Sequence, residues 1–163
     1  MSKTVLIAAG GTGGHLFPAQ AFADAMRARG WRVVLMTDER GRVYAKDFVA
    51  DAIEDVPAAT INWKSPLKAI RAALKIQAGM RTARARLKAI DPAVVAGFGG
   101  YPSLPALSAA IAQKRPILMH EQNAVLGRVN RHYAHHAHVV ACAFDRLDLL
   151  PVEARTKKTV VGN

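Results

Sequence analysis

Two hydrophobic regimes alternate along the chain. Short runs that are apolar throughout separate longer stretches with helical spacing. Thr4–Ala9 predicts a buried strand, followed by a loop over Gly10–Gly14 and a helix from about His15 to Arg29, stopped by Gly30. Trp31–Thr37 predicts the next strand, a polar glycine-containing stretch follows, and a short strand falls near Ala52–Val56. Pro66–Ala89 is helical by pattern and ends at Asp91-Pro92. A strand over Ala93–Ala96 leads into a second glycine-rich loop, Gly97–Gly100, and a helix to about Gln113. Pro116–His120 and Ala137–Ala143 predict strands flanking a helix over residues 125–136, and Thr159–Val161 starts another strand. Strands apolar on both faces, each followed by a helix, predict an α/β fold: a parallel sheet with helices on both faces.

In such a sheet ligands bind beyond the carboxyl ends of the strands, so three loops carry the candidate chemistry. The first, Gly10-Gly11-Thr12-Gly13-Gly14-His15, permits close backbone approach to an anion, and the following helix start adds free N–H groups. It is not the dinucleotide fingerprint, whose last glycine would fall at Leu16, and no Gly-Lys-Ser/Thr of a Walker loop follows. His15 stands where a general base or phosphate contact would. The second loop, Gly97-Phe98-Gly99-Gly100-Tyr101-Pro102-Ser103, repeats the design, with Tyr101 or Ser103 able to meet a hydroxyl or phosphate oxygen. The third presents Glu121, Gln122 and Asn123, whose carboxylate and amides suit sugar hydroxyls; the alternative is a polar cap on the next helix. Arg128 and Arg131, one turn apart, face either phosphate or solvent.

Charge adds a second theme. Lys+Arg total 23 against 12 Asp+Glu, a formal net charge of +11, which predicts an anionic partner. Between Val56 and Ile90 there is no acidic residue, yet there are eight basic ones. Trp63, Leu67, Ile70 and Leu74 share one helical face, and Lys64, Lys68, Arg71 and Lys75 repeat that spacing one residue later. A basic stripe beside an apolar one, with a tryptophan at its edge, matches a helix lying in the headgroup layer of an anionic membrane. Packing of that apolar stripe on the sheet is the alternative, and Ile76, Met80, Ala83 and Leu87 offer a different core face. Nucleic acid is not expected: stacking aromatics are scarce, and the glycine loops would go unexplained.

Composition narrows the class. Half the residues are hydrophobic and 21% are charged, which excludes a disordered or collagen-like chain. The most apolar windows, 5–9 and 104–112, fall far short of the ~20 residues of a spanning helix, and no signal-peptide pattern opens the chain. The lone Cys142 excludes an internal disulfide and suits a reducing cytoplasm. His132, His135, His136 and His138 lack carboxylate or thiolate company at ligand spacing, so no metal is assigned. Gly162-Asn163 reads as a loop cut short, as in the first domain of a longer chain. An oxidoreductase domain with Asp38 on a ribose remains an alternative, as does a non-catalytic membrane- or nucleic-acid-binding module.

Three segments, Gly10–Pro18, Gly97–Pro105 and His120–Arg131, together resemble the N-terminal domain of the MurG family of glycosyltransferases, and the similarity covers the whole chain. The resemblance implies the N-terminal half of a GT-B fold: a Rossmann-like domain over 1–163 that binds the acceptor and associates with the membrane. A C-terminal donor-nucleotide domain would be absent from this chain. It further implies inverting transfer of N-acetylglucosamine from UDP-N-acetylglucosamine to lipid I, giving lipid II for peptidoglycan. The setting would be the cytoplasmic face of the inner membrane, with no metal or other cofactor bound in the protein. By analogy His15 would deprotonate the muramyl hydroxyl, and Thr12, Gly13, Gly14 and Asn123 would meet the donor. Gly10, Gly11, Gly99, Gly100, Tyr101, Ser103, Glu121 and Gln122 would receive the acceptor. Alone, the 163 residues are expected to fold but not to catalyse.

Overall fold

A computed structural model describes residues 3–60 and 65–162. Its strands are β1 (Thr4–Ala8), β2 (Arg32–Thr37), β3 (Ala52–Asp55), β4 (Val94–Gly97), β5 (Ile117–Glu121), β6 (Val139–Cys142) and β7 (Lys158–Val160). They form one parallel sheet in the order β3-β2-β1-β4-β5-β6-β7. The helices are α1 (Gly13–Ala28), α2 (Glu39–Tyr44), α3 (Pro66–Ile90), α4 (Leu104–Ala112) and α5 (Arg128–Tyr133).

The period-2 alternation of β1 divides the core into two layers. Leu6 and Ala8 face a cluster containing Ala83 and Leu87 of α3 and Ala106, Leu107 and Ala110 of α4. Val5 and Ile7 face the other side, against Leu16, Ala19 and Ala23 of α1 and the ring of Phe98. Both layers are therefore closed by helices, and the expected two-sided parallel sheet is what the chain forms. α3 presses close to the sheet edge through Gly79, where any Cβ would collide with the Pro57 carbonyl oxygen.

Several local expectations are corrected. α1 begins at Gly13, two residues early, because Thr12 takes the extended backbone of an N-cap (φ −151°, ψ 161°). Gly13, Gly14 and His15 thus form the first helical turn rather than a loop. The polar stretch after β2 holds a short helix, α2, started by Asp38, whose carboxylate accepts from Gly41 N at 2.9 Å. The helix expected over 125–136 shrinks to α5 and a 3-10 turn at Ala134–His136, because Val125 bridges to Asp148 and Gly127 N is bound by Glu121. A 3-10 turn over Tyr101–Ser103 precedes α4.

Candidate active site

The strand order turns about β1, so the loops after β1 and β4 diverge and leave a crevice at the carboxyl edge. The three predicted loops meet there. His15, in the first turn of α1, places Nδ1 2.9 Å from the Phe98 carbonyl and 2.8 Å from the side-chain amide of Gln122. A carbonyl only accepts, so Nδ1 carries the proton. The Gln122 atom placed beside Nδ1 is its amide nitrogen, also a donor, while its Oε1 is buried without a partner; turning that amide by 180° brings Oε1 to Nδ1, which then donates to both. Nε2 is then the unprotonated nitrogen, on the side of the ring facing Gly100.

The glycines of the second loop make that placement possible. Gly99 has φ +87°, and a Cβ there would sit 3.3 Å from the His15 ring. Gly100 has φ +75°, and a Cβ there would lie 2.8 Å from the Gly10 carbonyl oxygen. Gly10 and Gly11 are buried under Pro102 and Tyr101, whereas Thr12 and Gly14 are exposed and Gly13 is half-buried beside the ring of Phe17. The exposed part of the first loop is therefore the helix start, with its unpaired N–H groups.

Other expected contacts prove to be scaffolding. Glu121 is 1% exposed and both its oxygens are occupied. Oε1 accepts from Asn123 N (3.1 Å) and Nδ2 (3.0 Å), and Oε2 from Gly127 N (2.9 Å) and Asn130 Nδ2 (3.0 Å). It shapes the third loop and has no edge left for a sugar hydroxyl, which corrects its assignment to the acceptor. Ser103 is also fully buried, its hydroxyl donating to the Gly100 carbonyl at 2.8 Å. Gln122 supports His15, and Asn123 stays exposed.

Asp38 is buried, with one oxygen capping α2 and the other accepting from the Tyr101 hydroxyl at 2.8 Å. That removes the ribose contact on which the oxidoreductase alternative stood. Burial, reinforced by the Asp38 carboxylate, raises the Tyr101 pKa, so its phenol stays a donor to Asp38.

The residues missed from sequence are Phe98, His120 and Asn130. Asn130 is buried and ties the His120 carbonyl to Glu121. His120 stacks on Phe98 with ring centroids 5.2 Å apart, and its Nε2 lies 3.4 Å from the Gly162 carbonyl. Burial lowers its pKa. All three stand inside the motif segments, but a buried scaffold leaves no pattern to tell it from a ligand contact.

On α3, Ala72, Gly79, Ala83 and Leu87 face inward. Leu67, Ile70 and Leu74 are 73%, 59% and 60% exposed, with Lys68, Arg71 and Lys75 beside them. Trp63 and Lys64 lie outside the described residues. Arg128 and Arg131 are exposed on α5. The rings of His135 and His136 lie 3.8 Å apart at the opposite edge of the sheet, where burial and neighbouring cations lower the His136 pKa. No group of three His, Cys, Asp or Glu that could hold a metal occurs among the described residues.

A Rossmann-like parallel sheet with this crevice and these loops is the N-terminal half of a GT-B glycosyltransferase. The match to the glycosyltransferase family 28 N-terminal domain runs over residues 5–142, and the chain belongs to that family. It is 54% identical over 163 residues to the UDP-N-acetylglucosamine–N-acetylmuramyl-(pentapeptide) pyrophosphoryl-undecaprenol N-acetylglucosamine transferase of Caulobacter vibrioides. Identity to the same enzyme of Phenylobacterium zucineum is 52% over 163 residues. Each alignment covers 100% of this chain and 45% of the relative, so the chain spans about half the length of the curated relatives it matches. Among solved structures, Acinetobacter baumannii MurG superposes with a TM-score of 0.80 at 32% identity, over 98% of this chain and 45% of that one.

Proposed function

We propose that this chain is the acceptor-binding, membrane-associating half of the transferase that moves N-acetylglucosamine from UDP-N-acetylglucosamine to undecaprenyl-pyrophosphoryl-muramyl-pentapeptide. The carrying observation is His15, whose Nδ1 is tied to Phe98 and whose Nε2 stands beside two glycine loops. Nε2 takes the proton of the muramyl hydroxyl as that oxygen attacks the anomeric carbon of the donor sugar. The glycosidic C–O bond forms as the bond to UDP breaks, with inversion, and UDP leaves with the electron pair. The helix start at Thr12, Gly13 and Gly14, with the exposed Asn123, faces the donor. Gly100 and Tyr101, the half-exposed part of the second loop, line the acceptor's pyrophosphate and sugar, while Gly10, Gly11 and Gly99, expected from sequence to touch it, are buried behind them.

A second, nucleotide-holding domain, such as the remaining length of the relatives would supply, completes the site, so these 163 residues alone do not turn over. The acceptor is anchored in the bilayer, which gives α3 its purpose. Its basic and apolar stripes rest on the anionic cytoplasmic face of the inner membrane, as a peripheral contact. No helix among the described residues is long and apolar enough to cross a membrane.

The test is amide NMR of this chain with a soluble short-prenyl analogue of the acceptor and with NAD as control. The analogue is expected to shift amides over 10–15, 98–103 and 122–127, with weaker binding in Gly13→Ala. Binding of NAD alone would overturn the reading.

A further inference from the structure

A second cavity opens at the same carboxyl edge, beyond β2 and β3. It holds about 440 Å³ and is lined by Asp38, Glu39, Arg42, Asp55, Val56, Pro57, Ala58 and Lys75. Val56, Pro57 and Ala58 give it apolar lining beside three carboxylates and two cations, with Asp38 and Asp55 already engaged by Tyr101 and Arg42. Asp38 is shared with the crevice, since Tyr101 of the second loop donates to it. Arg42 and Asp55 pair at 3.5 Å, half-exposed on both sides, a contact that a competing ligand can open at little cost. Lys75 makes no salt bridge with any described residue.

We infer that this cavity receives the peptide stem of the acceptor, with the free C-terminal carboxylate of that peptide held by Lys75 and Arg42. The inference rests on the acceptor reading given above. An acceptor of the kind named in the relatives carries four parts: lipid, pyrophosphate, muramyl sugar and pentapeptide. The apolar stripe of α3 suits the lipid, and the glycine loops suit the pyrophosphate and sugar. A peptide joined through its N-terminus has lost its terminal amine but keeps a carboxylate, so it calls for backbone-sized apolar space ending at cations. The cavity over β2 and β3, next to the second glycine loop through Asp38 and Tyr101, has both. Reach is adequate: β2 and β4 are two strand spacings apart, about 10 Å, and five extended residues span up to about 17 Å. Lys75 then joins the membrane-facing stripe to the site.

Three soluble probes test this on the chain as it stands, by amide NMR: N-acetylmuramyl-pentapeptide, its C-terminal amide, and muramyl pyrophosphate without peptide. The pentapeptide is expected to shift amides at 38–42 and 55–58. Its amide is expected to bind about tenfold more weakly, as is the acid to Lys75→Met. Lys75→Met should distinguish acid from amide less sharply than the wild type, since Arg42 alone remains to hold the carboxylate. If the pentapeptide leaves 38–42 and 55–58 unshifted while muramyl pyrophosphate shifts the glycine loops, the subsite falls and the acceptor site stands. If muramyl pyrophosphate leaves the glycine loops unshifted, the acceptor reading itself falls and takes the subsite with it.

Discussion

The Phe98 carbonyl and His15 Nδ1, 83 positions apart in sequence, lie 2.9 Å from each other, and this contact decides which ring nitrogen is free to act as a base. With its oxygen turned inward, the Gln122 amide, 2.8 Å from the same nitrogen, supports that choice from the third loop. A histidine at a helix start would otherwise sample both tautomers. Held between two loops, it presents Nε2.

Gln122→Leu removes one of these two supports. Long-range proton–nitrogen spectra of the imidazole are expected to show a larger share of the Nε2–H form in this variant. Gln122→Glu, whose carboxylate still accepts from Nδ1–H, should retain the Nδ1–H form. In a full-length transferase carrying this half, Gln122→Leu is expected to lower kcat about tenfold with KM little changed. An unchanged tautomer ratio would show that Phe98 suffices.

Glu121→Gln tests the scaffold of the third loop. The carboxylate receives four N–H groups in a site closed to water, and an amide there would turn its own NH₂ toward some of them. The expected loss is about 2–4 kcal/mol in urea unfolding. A loss below about 1 kcal/mol would mean that the loop holds its shape without the charge.

The division between what was legible and what was not follows from burial. The strands were readable because residues such as Val5–Ala8 and Val33–Met36 are apolar on both faces, which a parallel sheet covered by helices requires. The glycine loops were readable because Gly99 and Gly100 adopt backbone angles that favour glycine. Glu121 was misread, and Asp38 could be offered to a ribose in the alternative reading, for one reason. A carboxylate at a strand end looks the same in sequence whether it faces ligand or bonds to the backbone of the next turn. α2 was missed because its six residues carry too little periodicity to register, and only Asp38 marks its start.

His120 predicts a pH dependence. Burial lowers its folded pKa below the unfolded value of about 6.5. The unfolded chain therefore binds the proton first as pH falls, so the stability contributed by the neutral ring is complete above about pH 6.5. It is lost as pH drops from there toward the folded pKa. His136 is shifted in the same direction, so the test is a difference. Urea midpoints of the wild type should fall from pH 8 to pH 5 by more than those of His120→Phe, which keeps the ring against Phe98 but cannot titrate. Parallel curves would assign the effect elsewhere.

The exposed face of α3 makes the last prediction. Leu67, Ile70 and Leu74 lie away from the inward line of Ala72, Gly79, Ala83 and Leu87, so replacing all three by Ser should leave the urea midpoint nearly unchanged. Binding to vesicles containing anionic lipid should nevertheless fall at least tenfold in co-sedimentation, since each side chain withdrawn from the interface forfeits about 1–2 kcal/mol of burial. Lys68→Gln with Arg71→Gln should weaken binding most at low salt and leave little difference at 0.5 M, where a Debye length of about 4 Å screens the headgroup charge. Vesicle binding that ignores both the triple and the double substitution would detach α3 from the membrane and leave its apolar stripe to a protein partner.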